Sequence, residues 1–476
     1  MKYPCDSCAK PGSLDVTQPQ HAKLTEGPVG RTLVRLTIPM AFAIFTMIAF
    51  NLADRAFLGR LGTAELAAIS FTFPVVMIVG SIAQGIGVGM SAVISRSIGQ
   101  GNQDRVQRLT TDGLALAFII VALLSIVGLA TINPVFRMLG ATDQTLPLIR
   151  QYMTIWYVGV CFVIIPMTGN AAIRATGDMK TPAAIMMTAA AINVVLDPLM
   201  IFGIGPFPAM GIQGAALATM IARAMSLAAS LWVLIRREQM VTFARPRLSE
   251  TLDSWRKILF VGVPAAGTQL LVPLSTAVIT GLVATYGATA VAGFGVASRV
   301  EAFGLGIVMA LSATVTPFSG QNWGADRPDR VREAVSLAQR FALLWGLGLF
   351  GVYFLLGTPI AKIFTTDTSV IPVVRDYLRI VPVGYGLVGV LMVSTSALNA
   401  LGRPLHSAGL SLLRLFVLYL PLAFLGARLF NLNGVFAAAA VASVVAGAGG
   451  WWVAHRSTEE IDRSGLTRLV PEPATD

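Results

Sequence analysis

The sequence predicts an all-α polytopic membrane protein of twelve transmembrane helices, arranged as two parallel six-helix repeats. Three observations predict it. Of the 476 residues, 55% are hydrophobic and 12% charged, about half the ~25% charge of soluble domains, and the mean hydropathy is +0.72. Apolar runs recur along nearly the whole chain, each near the ~20 residues needed to cross a bilayer. The second half repeats the first at a fixed offset, as shown below.

Residues 1–30 form a polar tail without an apolar core, so no cleavable signal peptide is expected and the first span directs insertion. Cys5 and Cys8 make a CxxC in this tail. With no second pair and only His21, His406 and His455 elsewhere, a mobile tail is a better reading than a zinc site, and no cofactor is expected. Spans then follow at 34–58, 66–93, 112–132, 150–172, 183–205 and 213–235. This first lobe covers 31–235. A linker at 236–257 carries six basic residues, Arg236 to Lys257. The second lobe, 258–455, holds spans at 259–284, 292–318, 340–361, 380–401, 409–429 and 434–454, and a polar tail occupies 456–476.

Basic residues orient the spans. With the N-terminus inside, 24 Lys and Arg fall on inner segments and 7 on outer ones. That bias places both termini in the cytoplasm and the protein in the cell membrane. It also accounts for the net charge of +11 without invoking nucleic acid.

At an offset of 225 residues, Pro39 pairs with Pro264, Gly62 with Gly287, Gly99 with Gly324 and Gly177 with Gly402. The triplet Asp104-Arg105-Val106 pairs with Asp329-Arg330-Val331. A six-span unit returns to its starting side, so the halves are parallel. By analogy of architecture, such paired lobes transport by rocking against each other.

The exceptions to the repeat single out chemistry. Asp54 faces Ile279 at the same offset and Asp197 faces Leu422, whereas Glu301 faces Val76. An ionisable group inside a span is costly and points to function. Asn193 lies one turn before Asp197 on the same helix face. Thr219 lies two turns inside the next helix. Two carboxylates, an amide and a hydroxyl make a hard-oxygen set suited to Na⁺ or to a shared proton.

Blander readings stand beside this one. Asp54 could end its helix at the interface or pair with Arg60, and Asp197 before Pro198 could cap a broken helix. Asn193 could make an ordinary interhelical bond. Pro39 could impose a static bend, where the functional reading is a bend that changes with protonation. Arg299 and Glu301 are the candidates of the second lobe. At i,i+2 they cannot face each other, and no obvious basic partner for Glu301 is evident, which favours a cleft-facing carboxylate.

These residues resemble the multidrug and toxic compound extrusion (MATE) family, most of all its DinF-like branch, over residues 31–455. In the first lobe the resemblance rests on Asn51-Leu-Ala-Asp54, Leu58 to Gly62, Gly85 to Gly89, Gly99 to Asn102, Asn170 to Asp178, Asn193 to Pro198 and Gly214 to Thr219. In the second it rests on Arg299-Val-Glu301, Gly320 to Ala325 and Asn399 to Pro404. No single motif is specific, but their order across twelve spans is. The resemblance implies a V-shaped pair of lobes that exports organic, often cationic, compounds in exchange for H⁺ or Na⁺. It implies an ion-coupling site at Asp54, Asn193, Asp197 and Thr219, with Na⁺ as one occupant, and a bending point at Pro39. Some branches carry an acid in the seventh helix, where this chain has Gln269. Some DinF-like relatives carry a tyrosine where this chain has Phe50.

The expected protein is therefore a monomeric antiporter in the bilayer, working by alternating access on small-molecule substrates, with H⁺ or Na⁺ as coupling ion. A lipid-linked oligosaccharide or peptidoglycan-precursor flippase is the alternative. It would need a cationic groove for pyrophosphate, for which only Arg299, Arg223 and Arg414 are candidates. A membrane enzyme would need a metal cluster, a P-loop or a nucleophile–base pair, and none stands out. A non-transporting receptor would leave the paired acids without a purpose.

Overall fold

A computed structural model describes residues 22–58, 63–204, 206, 208–245 and 247–464, with side chains described outside 51–67 and 460–464. Cys5, Cys8 and His21 lie outside these residues. The described chain is all-helical. In order the helices are α1 (Val29–Leu58), α2 (Thr63–Gly99), α3 (Gln103–Met138), α4 (Leu146–Gly159), α5 (Cys161–Ala175), α6 (Lys180–Phe202) and α7 (Ile212–Trp232). The second half holds α8 (Leu248–Ala284), α9 (Ala288–Gly324), α10 (Pro328–Phe364), α11 (Val370–Ile380), α12 (Tyr385–Ala400), α13 (Pro404–Leu412) and α14 (Leu420–Ser464).

Local chemistry sets the helix ends. Asn102 accepts a hydrogen bond from the Arg105 N–H at 2.9 Å and so caps α3. α10 and α13 begin on Pro328 and Pro404, whose missing N–H groups need no partner in a first turn. Gly203 closes α6 in the left-handed conformation, φ 72°.

Ten helical runs are long and apolar enough to cross a membrane. The pair α4–α5, bent by 42°, makes an eleventh. The run Pro404–Glu459 spans 56 residues, about 84 Å of helix and far more than one ~30 Å crossing. It breaks at Phe430 and Asn431, where the backbone leaves helical angles, and so supplies two spans of the twelve. α8 starts at Leu248, ahead of the apolar run at 259. Its first turns are held by α3: the Trp255 indole donates to the Asp112 carbonyl at 2.8 Å and the Thr251 hydroxyl to the Asp112 carboxylate at 3.2 Å.

The repeat is visible in the helix bounds. α2 and α9 begin and end 225 residues apart, and so do the starts of α3 and α10. Pro39 lies half-buried inside α1 and Pro264 inside α8, neither ending its helix. Each frees the carbonyl four residues before it.

The halves meet where α2 crosses α9. A Cβ on Gly99 would stand 2.1 Å from the Gln321 carbonyl oxygen, and one on Gly324 2.0 Å from that of Arg96. The same two polar residues reach across. Arg96 donates to the Ala400 carbonyl and Gln321 to the Ala175 carbonyl, both at 2.6 Å. Each pair maps onto the other at the repeat offset, so the crossing has two-fold pseudosymmetry. Alongside, Gly85 and Gly89 of α2 press on the Gly262 and Ile258 carbonyls of α8 at would-be Cβ distances of 2.5 and 2.3 Å. Leu33, Leu36 and Met40 of α1 share a core with Leu311, Val315 and Phe318 of α9. Further along α8, Val272, Leu274 and Val278 are exposed and Ile279 and Val283 pack into the core of the second half, whereas the glycine contacts lie at the end where α2 finishes and α8 begins.

Arginines brace that same end. Arg330 donates to the Gly27 carbonyl at 2.8 Å and Arg327 to the Thr25 carbonyl at 2.8 Å, holding the segment before α1. At the repeat-equivalent position, Arg105 pairs with Asp253 near the start of α8.

Candidate functional site

α6 presents Asn193 and Asp197 on one face, four residues apart. Asn193 is 3% and Asp197 0% exposed. The Asn193 amide donates to one Asp197 carboxylate oxygen at 3.1 Å, so the amide nitrogen and not its oxygen faces the acid. A buried carboxylate without such donors costs several kcal/mol. Thr219 is half-buried on α7, which packs along α6. The backbone of Asp54 lies in α1, one turn beyond Phe50, and its side chain lies outside the described residues.

α1, α6 and α7 enclose a small cavity of about 30 Å³, room for one water molecule. Met47, Phe50, Met186, Asn193 and Arg223 line it. The structure thus brings together three of the helices that carry the expected ion-coupling residues. It also adds Arg223, four residues and one turn beyond Thr219 on the same face of α7. Phe50 faces this cavity with a ring that lacks a hydroxyl.

The second lobe holds a different arrangement. Glu301 of α9 is half-buried and accepts a hydrogen bond from the Tyr377 hydroxyl of α11. Arg414, in a π-helical stretch Leu413–Tyr419, lies within electrostatic reach of the carboxylate. Tyr385, Tyr353 and Tyr419 complete the surround. The Tyr353 and Tyr385 rings meet edge to face at 6.3 Å, and the Tyr377 and Phe436 rings at 5.0 Å. The expectation that no basic partner faces Glu301 is corrected by Arg414. The two are more than a hundred residues apart in sequence, and only the packing of the π-helical stretch joins them. Arg299 is exposed and does not join this group, as an i,i+2 neighbour on a helix must point elsewhere.

The tyrosines and Arg414 carry no sequence motif. The Arg96 and Gln321 contacts could have been found, because both residues are polar and both precede a repeated loop glycine by three positions.

The MatE family model matches residues 39–199 and again residues 264–425. The chain belongs to the MatE family of transporters. It is 40% identical to an FAD transporter of Shewanella oneidensis, over 92% of this chain and 97% of that protein. It is 25% identical to a probable multidrug resistance protein, YoeA, of Bacillus subtilis, over 84% of this chain and 88% of that one. Among solved structures, the Vibrio cholerae MATE transporter VcmN in its bent form is similar with a TM-score of 0.86 at 31% identity. That match covers 94% of this chain and 99% of that one.

Proposed function

We propose that this protein is a secondary antiporter that exports an organic solute, a flavin nucleotide such as FAD, in exchange for protons. The observation that carries the coupling is Asp197, fully buried in an apolar lobe and held by the Asn193 amide. An acid in that setting gains or loses a proton with a large change in local energy. The amide nitrogen facing it favours H⁺ as the ion. Binding Na⁺ through oxygen at this point would require the amide to turn over, while binding a proton does not.

Asp54, Thr219 and Asn193 complete the coupling set in this reading, and Pro39 is the point at which α1 bends. The lobes, 31–235 and 258–455 joined by 236–257, rock in a monomer whose termini are both cytoplasmic. The 40% identity with an FAD transporter over nearly its full length supports a flavin cargo. A second reading, export of organic and often cationic drugs as in the DinF-like branch, is favoured by the apolar, methionine-rich cavity wall at Met47 and Met186. Polarizable, unbranched methionine adapts to many shapes.

Proteoliposomes separate these readings. FAD and a fluorescent organic cation are each offered with a pH gradient or a Na⁺ gradient alone. We expect FAD movement driven by the pH gradient and lost in Asp54→Asn and Asp197→Asn. Cation movement without FAD movement would replace the flavin reading with the drug reading. Unchanged coupled transport in Asp197→Asn would end the proposed coupling role.

A further inference from the structure

Arg223 has no role in proton coupling as described above, yet it stands at the centre of the first lobe. It lies 11 residues from Ile212 and nine from Trp232 on α7, about 16 and 14 Å from the two helix ends. Neither membrane interface is close enough to supply it with a lipid phosphate. Among the described residues Arg223 makes no hydrogen bond or ion pair, although it is half-buried and lines the cavity beside Asn193. Arg174 is likewise half-buried without a hydrogen bond or ion pair among the described residues, but it stands in the last turn of α5, where a helix end favours a cation, and lines no part of this cavity. Other inward-facing cations are met. Arg96 holds the Ala400 carbonyl, Arg108 holds Asp112 and Glu250, and Arg414 faces Glu301. A guanidinium at this depth is costly unless something anionic or strongly polar meets it, and its planar fork suits phosphate oxygens.

The rest of the wall says what such an anion is attached to. Phe50 offers a ring face, and Met47 and Met186 offer polarizable, deformable surface that suits a flat aromatic ring. Asn193 offers an amide.

We propose that Arg223 is the specificity-determining residue for cargo in the first lobe. It would bind the phosphate of a planar, aromatic, phosphate-bearing substrate whose ring packs against Phe50. This inference rests on the flavin-nucleotide reading and deepens it, because it assigns the phosphate to one side chain. The described cavity is smaller than such a ligand, so α1 must move away from α6 and α7 to admit it. Pro39, which leaves a carbonyl unbonded within α1, lowers the resistance to that movement.

The test compares FMN with riboflavin, which differ by a single phosphate. Binding of each to the purified protein is followed by quenching of flavin fluorescence, for wild type, Arg223→Gln and Arg223→Lys. Wild type should prefer FMN by about ten- to a hundredfold, the range expected for a charge-assisted hydrogen-bonded contact. Arg223→Gln should bind riboflavin as wild type does and lose the preference, and Arg223→Lys should keep part of it. Unaltered riboflavin binding also shows that the variant is folded. A wild-type preference that survives in Arg223→Gln would overturn the assignment and leave the flavin reading intact. Wild type that binds neither flavin, but binds an organic cation, would overturn both.

Discussion

Asp178 shows how a single carboxylate in this protein is held outside the membrane-spanning helices. Its oxygens accept from the Lys180 and Thr181 N–H groups, both at 3.0 Å, and from the Thr181 hydroxyl, and Arg237 pairs with it at 3.1 Å. Burial pushes the carboxyl up, but the hydrogen bonds and the Arg237 charge outweigh it and hold it below the usual carboxylate range. A folded-state value below the unfolded one stabilises the fold fully above about pH 4. That contribution is lost as the pH falls through the lowered value. Asp178→Asn keeps an oxygen to cap the helix but loses the charge that faces Arg237 and the helix N-terminus, so it should unfold at a lower temperature than wild type at pH 7, by the loss of about 0.5 kcal/mol. The gap should close in acid; a gap of equal size at pH 2 and pH 7 would contradict this. Glu301 offers a second residue-scale prediction. Glu301→Gln weakens the charge-assisted bond from the Tyr377 hydroxyl and removes the charge near Arg414, a loss of about 2 kcal/mol. Thermal unfolding should show the loss, and Glu301→Gln with Arg414→Met should recover most of it. A single variant as stable as wild type would leave Glu301 as a cleft residue, to be judged by export of cations against neutral compounds.

The α2–α9 crossing is the element on which the two halves depend. Helices approach so closely there that only glycine fits at Gly99 and Gly324. Gly99→Ala would drive a methyl group into the Gln321 carbonyl, and the helices would have to part. Overpacking of this kind costs about 1–3 kcal/mol, and the Arg96 and Gln321 bonds across the crossing would lengthen with it. The expected outcome is a loosened crossing, read as faster thiol labelling of cysteines placed along α2 and as slower transport. Gly348→Ala is the control, because a Cβ there meets nothing within 4 Å. Transport and labelling in Gly99→Ala that match the control would show that transport does not depend on this close packing.

At the scale of the whole molecule, the expected topology places the segment between α7 and α8 in the cytoplasm. Phe243 lies in it and is 83% exposed. A single cysteine there, Phe243→Cys, in a background without Cys5, Cys8 and Cys161, should react with an impermeant thiol reagent in inverted vesicles. It should not react in intact cells. Labelling in intact cells would reverse the assignment of sides, and with it the direction of export. Because successive spans cross in alternate directions, one segment's side fixes the side of every other.

Much of the fold was legible in one dimension. Apolar runs of bilayer length and the 225-residue repeat depend on local composition and order, and they located the spans and the paired loop glycines. The facing of Asn193 and Asp197 was legible for the same reason, since residues four apart on a helix share a face whatever surrounds them. The position of Asp54 relative to them is still carried by its place in α1 alone. Other features depended on which helices pack together. The tyrosines and Arg414 come to Glu301 from α10, α11, α12 and a π-helical stretch, and contacts of that range leave no spacing to read. Arg223 was visible as a basic residue inside a span. That it lines a cavity with Phe50 and Asn193, and has no partner among the described residues, was decided by the packing of α1 against α6 and α7. Sequence thus determined what each helix carries. Tertiary packing decided which charges are met and which is left facing a cavity, because the cost of burying a charge depends on neighbours that are distant along the chain.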